Sequence, residues 1–248
     1  MIWLAGLFAL VAFVYASVGF GGGSTYTALL ALWGVDYRLI PVIALICNII
    51  VVSGGTVRFV RAGLVSCREV APLLLISAPL AFAGGLLPLK QWLFLGILGG
   101  ALLLSAIALL VQSDKMTQRV LPKPVLLAIS GAVGLLAGLS GIGGGIFMAP
   151  VLHLIRWAEP RRIAAFASLY ILINSAAGLF GQIIKSGAQS LAEPAMQYGI
   201  LLGAVFVGGQ LGSMFGMRYL SPRLLRSLTA ILVGYAAMRL LWQSYAMA

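Results

Sequence analysis

Apolar runs of about 20 residues follow one another along the whole chain, and each is long enough to cross the hydrocarbon core of a bilayer. Of the 248 residues, 62% are hydrophobic and 8% are charged, which is more apolar surface than a soluble domain can bury. Strands with unpaired edges do not survive in hydrocarbon, so we expect the runs to be helices. The sequence therefore predicts an all-α polytopic membrane protein without a soluble domain.

Two of these runs are interrupted by glycine at matching positions. Residues 19–24 read Gly-Phe-Gly-Gly-Gly-Ser, and residues 141–146 read Gly-Ile-Gly-Gly-Gly-Ile. Each interior glycine costs a helix about 1 kcal/mol relative to alanine, so both helices should break and leave backbone N–H groups without partners. Paired breaks in corresponding hydrophobic segments are the sequence feature that best indicates a transporter binding site.

The two halves of the chain match beyond the breaks. Asn48 followed by Gly55 corresponds to Asn174 followed by Gly181. We therefore predict two inverted repeats, each a glycine-broken helical hairpin followed by three transmembrane helices, with a linker at 114–123. The predicted segments are 2–34, 39–60, 70–88 and 91–112 in the first repeat (1–113), and 124–156, 162–185, 195–219 and 223–245 in the second (124–248).

Basic residues are concentrated in four loops, at 58–68, 113–124, 156–162 and 218–226, which the positive-inside rule places in the cytoplasm. Two of these loops bracket segment 124–156, so it should enter and leave on one side as a re-entrant hairpin. By the repeat, segment 2–34 should be a hairpin from the opposite face, and the two glycine tips should approach each other near the midplane. A full crossing followed by a short return is the alternative.

Freed N–H groups at the start of a half-helix attract an anion, because the helix dipole adds to them. The five acidic residues fall in loops or at segment ends, so a cation site built on buried carboxylates is not expected. The sequence offers no P-loop, metal-ligand cluster or nucleophile–base pair, which argues against an enzyme and predicts no cofactor. The predicted anion-binding residues are Gly19, Phe20, Gly21, Gly22, Gly23, Ser24, Thr25, Asn48, Ser140, Gly141, Gly143, Gly144, Gly145, Asn174 and Gln182.

The glycine motifs resemble those of a known family. Residues 18–24 and 138–151 are similar to the paired signature of the sulfite exporter TauE/SafE family of bacterial permeases, and the likeness covers essentially the whole chain. Pro150 follows the second motif, whereas Ala28 occupies the matching place in the first, so the two tips need not be equivalent. The resemblance implies a secondary transporter of the bacterial inner membrane for sulfite, sulfoacetate or a similar sulfur oxyanion or organosulfonate.

Several alternatives stay open at this point. Export by alternating access is favoured, and the other functions are a passive anion channel or an importer of thiosulfate or a sulfonate on the same fold. In a third alternative, a membrane scaffold or sensor, the glycines only allow helices to pack closely. The expected partners are a small anion and membrane lipid, without nucleic acid; a homo-oligomer, the coupling ion and the identity of the anion are left open.

Overall fold

The fold was analysed in a computed structural model, which describes residues 1–17, 19–111, 121–155, 157–187, 192–215 and 222–248. Within these ranges the chain forms ten α-helices and no strand. The helices are α1 (Ile2–Ser17), α2 (Gly23–Leu32), α3 (Leu39–Arg61), α4 (Cys67–Leu86), α5 (Gln91–Val111), α6 (Lys123–Ser140), α7 (Gly145–Leu154), α8 (Pro160–Ser186), α9 (Ala192–Phe215) and α10 (Pro222–Met247).

Four of the described helices are long and apolar enough to cross a membrane, namely Leu39–Arg61, Arg68–Leu86, Lys123–Ser140 and Arg161–Ser186. Three shorter apolar helical stretches accompany them, at Ile2–Ser17, Gln91–Ile107 and Tyr198–Met214. The all-helical composition and these apolar lengths confirm the predicted class of polytopic membrane protein.

The helices break where glycine predicts it. α1 ends at Ser17 and α2 begins at Gly23, while α6 ends at Ser140 and α7 begins at Gly145. Gly22 and Gly144 precede the second helix of each pair with φ of 79° and 80°, a left-handed conformation that glycine adopts without steric cost. The other predicted segments agree with the observed helices to within three residues at their described ends, the largest differences being 70 against Cys67 and 195 against Ala192. The predicted linker and the end of segment 195–219 lie largely outside the described residues.

Most of the packing joins the first five helices to the last five. α1 packs against α9 and α6 against α4, while α3 and α8 pack against each other near the centre. α4 also contacts α8, α3 contacts α9, and α5 contacts α10. Neither half is therefore a separate folding unit, because each half buries its helices largely against the other.

Glycines bring several of these helices into backbone contact. A Cβ at Gly138 of α6 would overlap the carbonyl oxygen of Ala81 of α4. On the other side of the bundle, a Cβ at Gly208 or Gly212 of α9 would overlap a carbonyl oxygen of α1. These glycines therefore act in helix packing, as small residues do in membrane bundles.

Contacts between helix ends define the two ends of the bundle. Arg162 at the start of α8 pairs with Glu69 at the start of α4 at 3.0 Å, and the basic C-terminus of α3 leads directly into α4. We call this the basic end. At the other end, here the far end, Lys185 near the end of α8 donates to the carbonyl of Leu87, which follows α4, at 3.4 Å.

The two broken pairs enter the bundle from different ends. Hairpin 1 (α1 and α2) begins at the far end, because α1 runs parallel to α9, and it returns there to start α3. Hairpin 2 (α6 and α7) begins at the basic end, because α6 runs parallel to α4 through the contacts of Gly134 with Ser77 and Gly138 with Ala81. It ends there as well, since α7 leads into α8.

A test of the packing uses two glycines in helix interiors. Gly138→Ala should lower the thermal midpoint of the protein in detergent, because its Cβ meets a backbone carbonyl that cannot rotate away. The expected cost is at least about 1–3 kcal/mol. Gly100→Ala in α5, which meets nothing within 4 Å, should be neutral or slightly stabilising. Equal thermal midpoints for the two variants would contradict the close approach of α6 to α4.

Candidate functional site

The two glycine-rich breaks come together in the middle of the bundle. Loop 1 (residues 19–22) and loop 2 (residues 141–144) both lie against Asn48 of α3 and Ile171 of α8. A Cβ at Gly21 would stand 2.6 Å from Asn48 Oδ1, and one at Gly143 would stand 2.6 Å from Asn48 Nδ2. A Cβ at Gly23, the first residue of α2, would overlap the carbonyl oxygen of Ile142 in loop 2. Only glycine therefore allows the two loops to approach this closely.

Each loop extends past this meeting point before the chain returns. A Cβ at Gly19 would stand 3.1 Å from the Phe59 ring, which lies near the basic end of α3. A Cβ at Gly141 would stand 2.6 Å from Cα of Pro41, near the far end of α3. The 16 residues of α1 alone extend about 24 Å. The first helix of each hairpin therefore crosses most of the bundle, and the glycines bring the chain back to its centre.

Asn48 lies between the loops and is fully buried. Its Nδ2 donates to the carbonyl oxygen of Gly141 at 3.2 Å, while its Oδ1 has no hydrogen-bond partner. The orientation of the amide follows from this bond, because a carbonyl oxygen requires a donor. Asn48 therefore presents a donor to loop 2 and an acceptor to loop 1.

Backbone N–H groups are left without acceptors on both loops. Among the described residues, no hydrogen bond takes the N–H groups of residues 21–24 or 143–146. These groups stand at the N-termini of α2 and α7, each a helix of ten residues, where the dipole adds positive potential. Buried backbone donors in this arrangement favour a bound anion.

A small cavity of about 10 Å³ adjoins loop 1, which in this conformation is room for about one water molecule. Its polar lining comes from Ser24, Tyr15 and the backbone of the glycines, and no charged side chain lines it. The Tyr15 hydroxyl is held by the Thr25 hydroxyl at 2.9 Å. The full lining is Tyr15, Phe20, Gly21, Gly22, Gly23, Ser24, Ile142, Ile146 and Ile171.

The described interior as a whole carries no formal charge. Every buried polar residue in the described part of the chain is a serine, threonine, asparagine or glutamine. The same residues contain no group of three or more metal-ligating side chains. The chemistry of the site therefore rests on neutral hydrogen-bonding groups and helix dipoles.

Five of the predicted site residues line the cavity, namely residues 20–24, while Asn174 and Gln182 bond to backbone outside both loops. Asn174 is buried and donates to the carbonyl of Tyr170 in its own helix at 2.9 Å. Gln182 is also buried and donates to the carbonyl of Gly138 in α6 at 3.1 Å, one turn before loop 2 begins. Ser140 caps the break itself, since its hydroxyl donates to Leu136 at 2.5 Å and accepts from the N–H of Ile142 at 3.4 Å. The remaining predicted residues lie on the two loops or beside them.

Sequence reasoning missed five residues at the site, among them Ile142 and Ile146, which line the cavity. Tyr15 lines the cavity, Ile171 contacts both loops, and the unpartnered hydroxyl of Ser175 would stand 3.1 Å from a Cβ at Gly143. A hydroxyl within an apolar helix close to the break was the available signal for Tyr15. Ser175 also carries a hydroxyl within an apolar helix and directly follows Asn174, so the same signal was available for it.

A tyrosine ring supports each loop from behind, but the two tyrosines come from different places. Tyr26 of α2 contacts Gly22, whereas Tyr170 of α8 contacts Gly144. Tyr170 donates to the carbonyl of Ser130 at 2.8 Å, and the Ser130 hydroxyl donates to the carbonyl of Leu73 at 3.0 Å. Hydrogen bonds therefore tie hairpin 2 to both α4 and α8, while the Tyr26 hydroxyl is buried without a partner.

A multi-pass helical bundle whose two broken helices meet at its centre has the architecture of a membrane transporter. Sequence comparison agrees and gives the family. The chain belongs to the sulfite exporter TauE/SafE family, whose sequence pattern matches residues 4–240.

Two curated relatives carry the name of a probable membrane transporter. The protein y4hK of Sinorhizobium fredii is 36% identical over 97% of this chain and 98% of its own length. A protein of Haemophilus influenzae is 29% identical over 40% of this chain and 39% of its own length. No solved structure matches the chain.

The contacts of loop 1 can be tested with two glycines that share a backbone conformation. Gly22 and Gly34 have φ of 79° and 78°, so alanine at either should cost about 1–2 kcal/mol in backbone strain. Gly22→Ala should lower the thermal midpoint in detergent further, because its Cβ would press on Tyr26 and Val11, whereas Gly34 has nothing within 4 Å. A Gly22→Ala protein as stable as Gly34→Ala would show that loop 1 is not packed as described.

Proposed function

We propose that this protein is a secondary transporter that moves a small sulfur oxyanion or organosulfonate, such as sulfite or sulfoacetate, and binds it between loop 1 and loop 2. The observation that carries the proposal is the set of unpartnered backbone N–H groups at 21–24 and 143–146. They begin two helices whose preceding loops both lie against Asn48 and Ile171.

Neutral donors suit an anion that must enter and leave. Oxyanions accept several hydrogen bonds, and backbone N–H groups with a serine hydroxyl can replace the lost water without holding the ion as tightly as an ion pair. No buried carboxylate in the described residues competes for the same donors. The substrate named by the family description, sulfite, has this chemistry.

The helix contacts support an inverted repeat. Each helix of the first half has a counterpart five helices later, so that α1 corresponds to α6 and α4 corresponds to α9. When every helix is exchanged for its counterpart, the α1–α9 contact becomes the α6–α4 contact, and the α4–α8 contact becomes the α9–α3 contact. The α3–α8 and α5–α10 contacts convert into themselves. The same exchange relates hairpin 1, which enters from the far end, to hairpin 2, which enters from the basic end. Alternating access would follow if one repeat moved against the other around the shared site.

The proposed orientation in the membrane rests on the basic loops, and the proposed direction of transport rests on the family. With the loops at 58–68, 113–124, 156–162 and 218–226 in the cytoplasm, the basic end faces inward and hairpin 1 enters from outside the bacterial inner membrane. Export is the favoured direction, and import of thiosulfate or a sulfonate on the same fold is the alternative.

Proteoliposomes test the proposal. Purified protein should move labelled sulfite or a small sulfonate faster than empty liposomes do. Ser24→Ala should reduce the rate by about 10–100-fold, because a hydrogen bond to a charged group contributes about 1.5–3 kcal/mol. Ser105→Ala is the control: this serine is also buried, and it bonds only to Ala101 in its own helix at 2.8 Å. No flux above background for any of these anions would contradict the proposed function.

Counterflow separates a carrier from a channel. A carrier exchanges internal for external substrate faster than it supports net flux, so unlabelled sulfite inside the liposomes should accelerate uptake of the labelled anion. The small closed-in cavity and the mutual packing of the loops favour this outcome. Uptake that is unaffected by internal sulfite would indicate a passive channel instead.

A further inference from the structure

Among the described residues, no cationic side chain lies at the site to balance a bound anion. Arg58 of α3 is exposed, and its guanidinium donates to the side chains of Ser213 and Gln210 of α9. The remaining described basic residues are likewise absent from the buried polar residues. Positive potential at the loops therefore comes from the backbone.

The backbone supplies a limited amount of charge. A helix N-terminus is equivalent to about half an elementary charge. Two such termini, those of α2 and α7, meet at the loops. Together they offset about one negative charge. A dianion would keep an excess charge in the protein interior, and its Born desolvation cost is about four times that of a monoanion of the same size.

An unpartnered acceptor beside loop 1 points to the same species. Asn48 Oδ1 is fully buried, has no hydrogen-bond partner, and approaches loop 1. The amide oxygen can only accept, so a ligand that satisfies it must bring a hydrogen. A fully deprotonated oxyanion has none, whereas an oxyanion that has kept one proton can accept from the N–H groups and donate to Asn48.

We propose that the site selects a singly charged oxyanion that still carries a proton, so that sulfite is transported as hydrogen sulfite. This inference rests on the proposed function and narrows it to sulfite, because sulfoacetate and thiosulfate are dianions near neutral pH and have no hydroxyl to donate. It also gives a route for the proton: it crosses on the substrate, and the protein needs no buried acid or histidine to carry it.

In the described part of the chain, the side chains around the loops do not include one that ordinarily titrates near neutrality. The titratable residues that face the loops are Tyr15 of α1, Tyr26 of α2, Cys47 of α3 beside Tyr26, and Tyr170 of α8. His153 is in the last turn of α7, eight residues or about 12 Å beyond Gly145. A pH dependence of binding near neutrality should therefore reflect the protonation state of the anion.

The test compares two anions that lose their second proton at different pH. Binding of sulfite and of selenite to the purified protein is measured as a function of pH; the second ionisation of selenite lies at higher pH than that of sulfite. The apparent Kd for total sulfite should rise about tenfold per pH unit above its own ionisation, and the curve for selenite should be displaced to higher pH. Arg58→Gln should leave both curves in place and change the affinity by less than about fivefold, as expected for an exposed charge.

The contrary results distinguish failure of this inference from failure of the proposed function. Affinity for total sulfite that stays constant or increases with pH would overturn the selection of a protonated monoanion. The same conclusion would follow if sulfite and selenite lost affinity at the same pH, since a protein group would then be titrating, or if Arg58→Gln abolished binding. Absence of binding of both anions at every pH would instead contradict sulfite as the substrate of the proposed transporter.

Discussion

Backbone groups within the hydrocarbon layer must find partners inside the protein, and the two glycine breaks violate that requirement unless something surrounds them. The fold keeps the breaks away from lipid by placing them against each other. Loop 1 and loop 2 share Asn48 and Ile171 as neighbours, and Gly23 lies against the carbonyl of Ile142. The arrangement leaves the N–H groups at the two helix N-termini without acceptors in the described protein. The same geometry that keeps lipid away from irregular backbone therefore prepares a place for an anion.

The two hairpins follow one plan but differ in detail. A tyrosine ring fills the space behind each loop, yet Tyr26 comes from hairpin 1 itself and Tyr170 comes from α8. Packing requires only that the volume be filled, so equivalent spaces can be occupied from different sequence positions. The hydrogen bond from Asn48 to Gly141 also has no counterpart at Asn174, which bonds within its own helix. The cavity accordingly belongs mainly to loop 1, and only Ile142 of loop 2 and Ile146 of α7 line it from the other hairpin.

Glycine content and apolar length predict most of the fold, because both act through local backbone energetics. They give the positions of both breaks and of the helices between the loops. The rotation of each helix about its own axis cannot be predicted in this way, because a segment that is apolar all round carries no signal for the face that points inward. That is why Gln182 and Asn174 were expected at the cavity although their amides bond to Gly138 and Tyr170. It is also why Tyr15 and Ser175 were missed. Helix rotation is set by backbone contacts such as that of Gly138 with Ala81, which involve residues far apart in sequence.

The central claim is that backbone amides of two opposed loops bind a small oxyanion. Selenite, a heavier analogue of sulfite, allows this to be seen directly by anomalous diffraction from crystals of the protein soaked with it. We expect one anomalous peak from selenium, placed so that the selenite oxygens lie within hydrogen-bonding distance of the N–H groups of residues 21–24 or 143–146. A peak only at the exposed arginines of the basic end, with the loop amides packed dry against neighbouring helices, would contradict the account.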